Sequence, residues 1–247
     1  MKQTSFLKEL SWQEFLARKA KTDLAIIPAG AFEVYGPHLP LGADTLVSVR
    51  FAELVAERVA AVIGPVLEVG DSAVLDDFPG TVTIKPESFK LYLQDIVASL
   101  KKWGFRDFLF MNTHLHDVFI MNQVGHELQR EPGIRCAQID IWRFVQAHDQ
   151  GLFQAALPHA HASECGTSVL LHLFPELCDM TKVVNSPPKF ADKFPDVIKY
   201  LPLRDYTDSG TIGDATLGTA EKGRELVDRC INRIVAFLVE NWGYTLK

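Results

Sequence analysis

Apolar residues recur along the chain with two alternating periods. Short unbroken runs, DLAIIP at 23–28, PVLEVG at 65–70, DFLFMN at 107–112 and a fourth at 134–139, are rich in strand formers and read as buried strands. Between them the spacing widens to that of a one-sided helix. Residues 45–63 bring Leu46, Val49, Phe51, Leu54, Val55, Val59 and Val62 onto one face. Further helices are expected at 89–103, stopped by Gly104, and at 118–130, 162–173 and 219–241. Ser11-Trp12-Gln13-Glu14 has capping-box spacing and predicts where a first helix starts. Strands alternating with helices imply an α/β fold whose mainly parallel sheet is covered on both faces.

That architecture predicts where chemistry belongs. In open parallel sheets, ligands bind beyond the carboxyl ends of the strands. The segments following 23–28 and 107–112 are two such strand-to-helix loops, so they should meet in one crevice. The first carries Glu33, Tyr35, His38 and Asp44. The second reads Asn112-Thr113-His114-Leu115-His116-Asp117, with histidines two apart that face one way if the chain stays extended. A third segment, Pro158-His159-Ala160-His161-Ala162-Ser163-Glu164, repeats that spacing with a carboxylate close behind. Carboxylate and imidazole without thiolate suit divalent Zn, Mn or Fe, and ligands drawn from separate loops leave coordination positions open for catalysis. Singly, each has a plainer use: Asp44 stands where a helix cap would, and a lone histidine is more often a hydrogen-bonded core or surface residue. His126, His148 and His172 fall inside helical stretches and are read in that plain way. The chain has no GxSxG elbow, P-loop or GxGxxG stretch.

Composition narrows the class. At 247 residues the chain suits one sizeable domain, 1–247, able to bury a full core. A net charge of −6 without a basic stripe argues against nucleic acid as a partner. No apolar run reaches the roughly 18 residues of a membrane span. With no signal-peptide core at the N-terminus and four scattered cysteines, the expected location is cytoplasmic.

Five segments, in order, carry a resemblance. They are PAGAFEVYGPHLPLGAD at 28–44, FPGT at 78–81, NTH at 112–114, HASECGTS at 161–168, and a glycine-rich stretch from Gly210 to Asp214 with Gly218 to Gly223. Together they resemble the creatininase (creatinine amidohydrolase) family. The resemblance implies a three-layer α/β/α sandwich around a mostly parallel sheet. It implies homo-oligomers, often hexamers, with one or two divalent ions per chain. It also implies hydrolysis of C–N bonds in small cyclic or formyl amides. By position, Glu33, Asp44 and His114 look like metal ligands, and His161 looks like the catalytic histidine. Three positions depart from the pattern. Tyr35 replaces the histidine of E-x-H, Gly166 replaces the glutamate of E-T-S, and His116 stands where some members have a metal-binding glutamate.

These features define a working expectation. Glu33, Asp44 and His114 hold an ion, with His116 completing the site. Glu164 or His161 moves the proton, and Tyr35 donates to the developing oxyanion. The substrate is a small cyclic amide. One alternative is a ring diketone of an oxidised inosose, opened at a C–C bond. Another is a non-catalytic binding or scaffold relative with a vestigial pocket.

Overall fold

The computed structural model describes residues 4–194, 196–197 and 199–247. Helix α1, Trp12–Lys19, opens with the expected capping box: Ser11 accepts from the Glu14 N–H while the Glu14 side chain accepts from the Ser11 N–H. Strand β1 is Leu24–Ala29, followed by helix α2, Ala43–Arg58, and the short strand β2, Val62–Ile63. Helix α3, Pro86–Lys102, leads to β3, Asp107–Asn112, then α4, Asp117–Leu128, and β4, Arg135–Asp140. Helices α5, Ile141–His148, and α6, Glu164–Leu173, come next. A small antiparallel pair follows, β5, Asn185–Ser186, and β6, Gly213–Asp214, with the one-turn α7, Leu203–Tyr206, between its strands. The long α8, Ala220–Glu240, completes the order.

The central sheet has strand order β2-β1-β3-β4, and every pairing in it is parallel. Each inner strand feeds two cores by simple alternation. From β1, Leu24 and Ile26 enter one core while Ala25, Ile27 and Ala29 enter the other. From β3, Leu109 and Met111 go one way and Phe108 and Phe110 the other. Helices α2, α5, α6 and α8 cover the first face, and α3 and α4 cover the second. The result is the three-layer α/β/α arrangement, and it explains why β1 and β3 are apolar at almost every position rather than at every second one. Among the described residues, no helix is long and apolar enough to cross a membrane.

Two expectations need correcting. The helix read over 45–63 ends at Arg58, and Val62 and Ile63 form β2 instead. Their β-branched side chains suit a pleated strand, and Gly64 and Pro65 then break the run. The strand read at 65–70 survives only as a single bridge from Leu67 to Ala29. Helix α5 was not foreseen; eight residues are too few for a periodic signal to stand out.

Candidate metal centre

Register places the site. Ala29 at the end of β1 pairs with Asn112 at the end of β3, so the chain leaves both strands at the same edge. Beyond β1 it runs through Glu33 to Asp44, the second residue of α2. Beyond β3, Asn112 turns the chain: its side-chain amide donates to the His114 carbonyl at 2.7 Å, and its carbonyl oxygen accepts from the His114 N–H at 3.2 Å. Thr113 ties the two loops together by donating to the Asp44 carbonyl at 2.7 Å.

Glu33, Asp44 and His114 thereby converge, with one ligand atom from each lying within 4.8 Å of the others. His114 Nδ1 is 3.2 Å from Glu33 Oε2 and 3.5 Å from Asp44 Oδ2. All three side chains are buried. The surrounding groups orient them. Ser72 Oγ donates to Glu33 Oε2 at 2.6 Å, and Trp142 Nε1 donates to Asp44 Oδ1 at 3.0 Å. His114 Nε2 faces the Asp71 carbonyl at 2.7 Å, so that nitrogen donates and Nδ1 is turned toward the carboxylates. His161 Nδ1 donates to the Gly210 carbonyl at 2.7 Å, which presents its Nε2 to Glu33 Oε1 at 3.3 Å.

The electrostatics follow from burying two carboxylates together. Asp44 is pushed up to about 6, by its burial and by the Glu33 charge, despite hydrogen bonds from His114 and Trp142. For Glu33, burial raises the pKa, but His114, His161 and Ser72 outweigh it and hold the group below its ordinary value. Burial also opposes a charge on His114, yet the two carboxylates outweigh it and push the ring up to about 10. His161 is raised in the same way, its burial overcome by Glu33. Among the described residues, no lysine or arginine forms an ion pair with Glu33 or Asp44, so imidazoles alone offset them. This donor set fits a hard or borderline divalent cation: two carboxylates and one imidazole, crowded together, with positive charge in short supply.

A cavity of about 400 Å3 opens onto the cluster, bordered by Val74, Leu75, Trp142, Arg143 and Leu203. Tyr35 and His116 also line it. Tyr35 is buried, its ring 4.9 Å from that of His161 and 6.1 Å from Trp142. Burial and the nearby Asp44 and Glu33 charges raise its pKa well above that of an ordinary phenol, so it stays protonated. A Cβ added at Gly166 would lie 3.1 Å from the Tyr35 hydroxyl, so the absence of a side chain at 166 leaves the room Tyr35 occupies. His116 stacks on His114 with ring centroids 5.4 Å apart and planes at 23°, beside the three-residue cluster rather than within it. Burial and the His114 charge lower its pKa.

Two residues named from the sequence have other work. Glu164 is fully buried, and its oxygens are committed. Oε2 accepts from the N–H groups of Gln154 and Ala155 at 2.8 and 2.6 Å, and Oε1 pairs with Lys222 Nζ at 2.5 Å. The expected proton-transfer role for Glu164 is therefore corrected: both of its oxygens are held by an ammonium and two amides, and it does not line the cavity at the cluster. The cause lies in Ala162, whose left-handed backbone (φ 51) swings the chain between His161 and α6. His38 is buried against Thr167, with Nε2 2.9 Å from its hydroxyl, and is not in the cluster. Ser72 and the Asp71 carbonyl were missed as individual residues. The 70–81 loop has aspartates at 71, 76 and 77 but no histidine, and no spacing in it marks a serine hydroxyl or a backbone carbonyl as a support for ligands elsewhere.

Fold and site together define an α/β protein with an acidic, cation-seeking centre at the carboxyl edge of a parallel sheet. The chain belongs to the creatinine amidohydrolase (creatininase) family of hydrolases, whose pattern matches residues 8–238. It is 30% identical to the creatinine amidohydrolase of Pseudomonas putida, over 99% of this chain and 100% of that protein. It is 27% identical to the 3-dehydro-scyllo-inosose hydrolase of Thermotoga maritima, over 92% and 80% of the two chains. It is 30% identical to the mycofactocin precursor peptide peptidase of Mycolicibacterium smegmatis, over 85% and 84%. A solved structure of a manganese form of creatininase superposes with a TM-score of 0.85 at 26% identity, covering 97% of this chain and 99% of that one. A creatininase variant described as of Zn–Zn type superposes equally well, with a TM-score of 0.85 at 27% identity and the same coverage.

Proposed function

We propose that this chain is a metal-dependent hydrolase that opens a small cyclic substrate in the cavity at the strand ends, by cleaving an amide C–N bond. The observation that carries the reading is the buried cluster of Glu33, Asp44 and His114, two carboxylates facing one imidazole with no lysine or arginine among the described residues to balance them. The manganese and Zn–Zn forms of the solved creatininase structures support the same assignment. Glu33, Asp44 and His114 would hold the ion, and His116 would extend the site. A divalent ion there supplies a Lewis acid that polarises a carbonyl and lowers the pKa of water.

The chain's own residues supply the rest. His161 is oriented by Gly210, so Nε2, beside Glu33 Oε1, is the atom that faces the cluster and would take a proton from water and deliver it to the leaving nitrogen. Its contact with Glu33 favours the protonated form between those two transfers. Tyr35 keeps its phenolic proton and donates it in a hydrogen bond to the oxyanion as the carbonyl is attacked. The mostly apolar rim at Val74, Leu75 and Leu203 excludes water from a bound ring. A buried carboxylate cluster facing a cavity argues against a scaffold, where buried charge only destabilises.

A second reading has specific support. Tyr35 and Gly166 fit each other as a pair, as do the stacked His114 and His116, so the site is reshaped at the positions that depart from the family pattern. The relative that hydrolyses 3-dehydro-scyllo-inosose has a similar overall match. A ring diketone presents two carbonyl oxygens to such a site, and its hydrolysis would add water across a C–C bond to leave an open-chain keto acid. Assay of the manganese- and zinc-loaded protein against ring amides and ring diketones separates the two. Release of an amino or ureido acid supports the first reading, and release of an open-chain keto acid supports the second. Turnover of neither class, with the ion bound, removes both.

A further inference from the structure

One three-residue loop orients two of the three candidate ligands. The Asp71 carbonyl accepts from His114 Nε2 at 2.7 Å, and Ser72 Oγ donates to Glu33 Oε2 at 2.6 Å. Its two flanking residues are tied to the neighbouring segment, where the Ile84 N–H donates to the Gly70 carbonyl at 3.1 Å and the Ser72 N–H donates to Thr83 Oγ1 at 3.0 Å; Asp71 itself is held by a group in another element. The Asp71 N–H donates to Oδ1 of Asp117 at 3.0 Å. Asp117 begins α4 and is fully buried, and its second oxygen, Oδ2, has no hydrogen-bond partner among the described residues. The loop has to come very close to reach it. A Cβ at residue 70 would lie 2.2 Å from that oxygen, so only glycine fits there.

We propose that Asp117 is a positioning residue for the cation site, acting through Asp71 to set which nitrogen of His114 faces Glu33 and Asp44. The inference rests on the reading of Glu33, Asp44 and His114 as ion ligands. An imidazole has two nitrogens, and the one that binds is fixed by the hydrogen bond the other makes. Here Nε2–H is committed to a carbonyl on a loop, and a loop carbonyl is only as well placed as the loop. Asp117 anchors the amide of the very residue that supplies the carbonyl. Gly70 gives the anchor its room, and Ser72 carries the same constraint to Glu33. A buried acid at the start of a helix also has an ordinary use, favourable interaction with the helix N-terminus. That use predicts lower stability on removal and no change in ion affinity.

The test measures Mn2+ and Zn2+ affinity by chelator competition near neutral pH, with thermal unfolding alongside. Asp117→Ala is expected to weaken binding by about 10- to 100-fold. Asp117→Asn keeps an oxygen that accepts from the Asp71 N–H and should stay near wild type. Gly70→Ala should reproduce the loss seen in Asp117→Ala, and the double variant should bind no more weakly than either single one. Met121→Ala, elsewhere on α4 and fully buried, gives a destabilised control whose ion affinity should not change. If Asp117→Ala fails to fold, Gly70→Ala carries the same prediction. Wild-type affinity in Asp117→Ala or Gly70→Ala, or an equal loss in Met121→Ala, overturns the inference. A wild-type protein that binds neither ion overturns the reading of the site instead.

Discussion

The parallel sheet buries carboxylates at both ends, and the two ends treat them in opposite ways. At the amino edge, Asp107 begins β3 and faces Arg135 at the start of β4, its register partner. The guanidinium grips it with two bonds, Nε to Oδ1 at 2.7 Å and Nη2 to Oδ2 at 2.6 Å, and the Tyr244 hydroxyl donates to it as well. At the carboxyl edge, Glu33 and Asp44 converge on His114, and among the described residues no guanidinium or ammonium is paired to them. One carboxylate with one permanent cation is a closed account of charge. Two carboxylates with an imidazole are not, and a chain keeps such a cluster buried where a cation from outside completes it. The same contrast separates Glu164, paired with Lys222, from Glu33. Burial alone marks neither as functional; the missing permanent counter-charge does.

The strongest way to break this contrast is to remove one group from each end. His114→Ala should lower divalent-ion affinity by more than about 100-fold, as deleting a direct ligand exceeds the effect of deleting its support. Isothermal titration with Mn2+ checks it. Asp107→Ala should leave ion affinity unchanged and cost about 2 kcal/mol of stability, since it strands a partly exposed arginine and a tyrosine hydroxyl. Asp44→Asn should show the reverse: lost ion binding, with the ion-free protein no less stable, because two crowded carboxylates become one. Urea unfolding of the ion-free variants measures both stabilities.

How much of this contrast could be read beforehand differs between its two sides. The apolar run before Glu33 and the chemistry-bearing loops after both inner strands were legible, because strand periodicity and strand-end placement are local signals. So was the convergence of Glu33, Asp44 and His114, through the order of the family motifs. What held those ligands was not legible. Ser72, the Asp71 carbonyl, Trp142 and Asp117 reach the site from separate elements, and no spacing along the chain records such meetings. Glu164 was misassigned because it stands three residues from His161. Only the left-handed turn at Ala162 shows that the two side chains part company. The helix over 45–63 ran too long because Val62 and Ile63 continue its apolar face while preferring a strand.

Two smaller effects sharpen the comparison. His38, on the loop between Glu33 and Asp44, is pushed down to about 4 by burial, from an ordinary 6.5. The unfolded chain therefore takes up a proton between pH 6.5 and 4 that the folded protein refuses. Its contribution to stability is fully present above 6.5 and falls as the pH drops toward 4. Urea midpoints at several pH values should fall less steeply for His38→Gln than for wild type. Smallest of all, Ala162→Gly should relieve a left-handed backbone and stabilise the ion-free protein by about 1 kcal/mol or less, read from thermal unfolding.

The most direct measurement is anomalous scattering from crystals grown with Mn2+ or Zn2+. The account predicts a peak between the carboxylates of Glu33 and Asp44 and Nδ1 of His114, absent in crystals of His114→Ala. A wild-type crystal with no peak there, or with the ion bound elsewhere and these three side chains uninvolved, contradicts it.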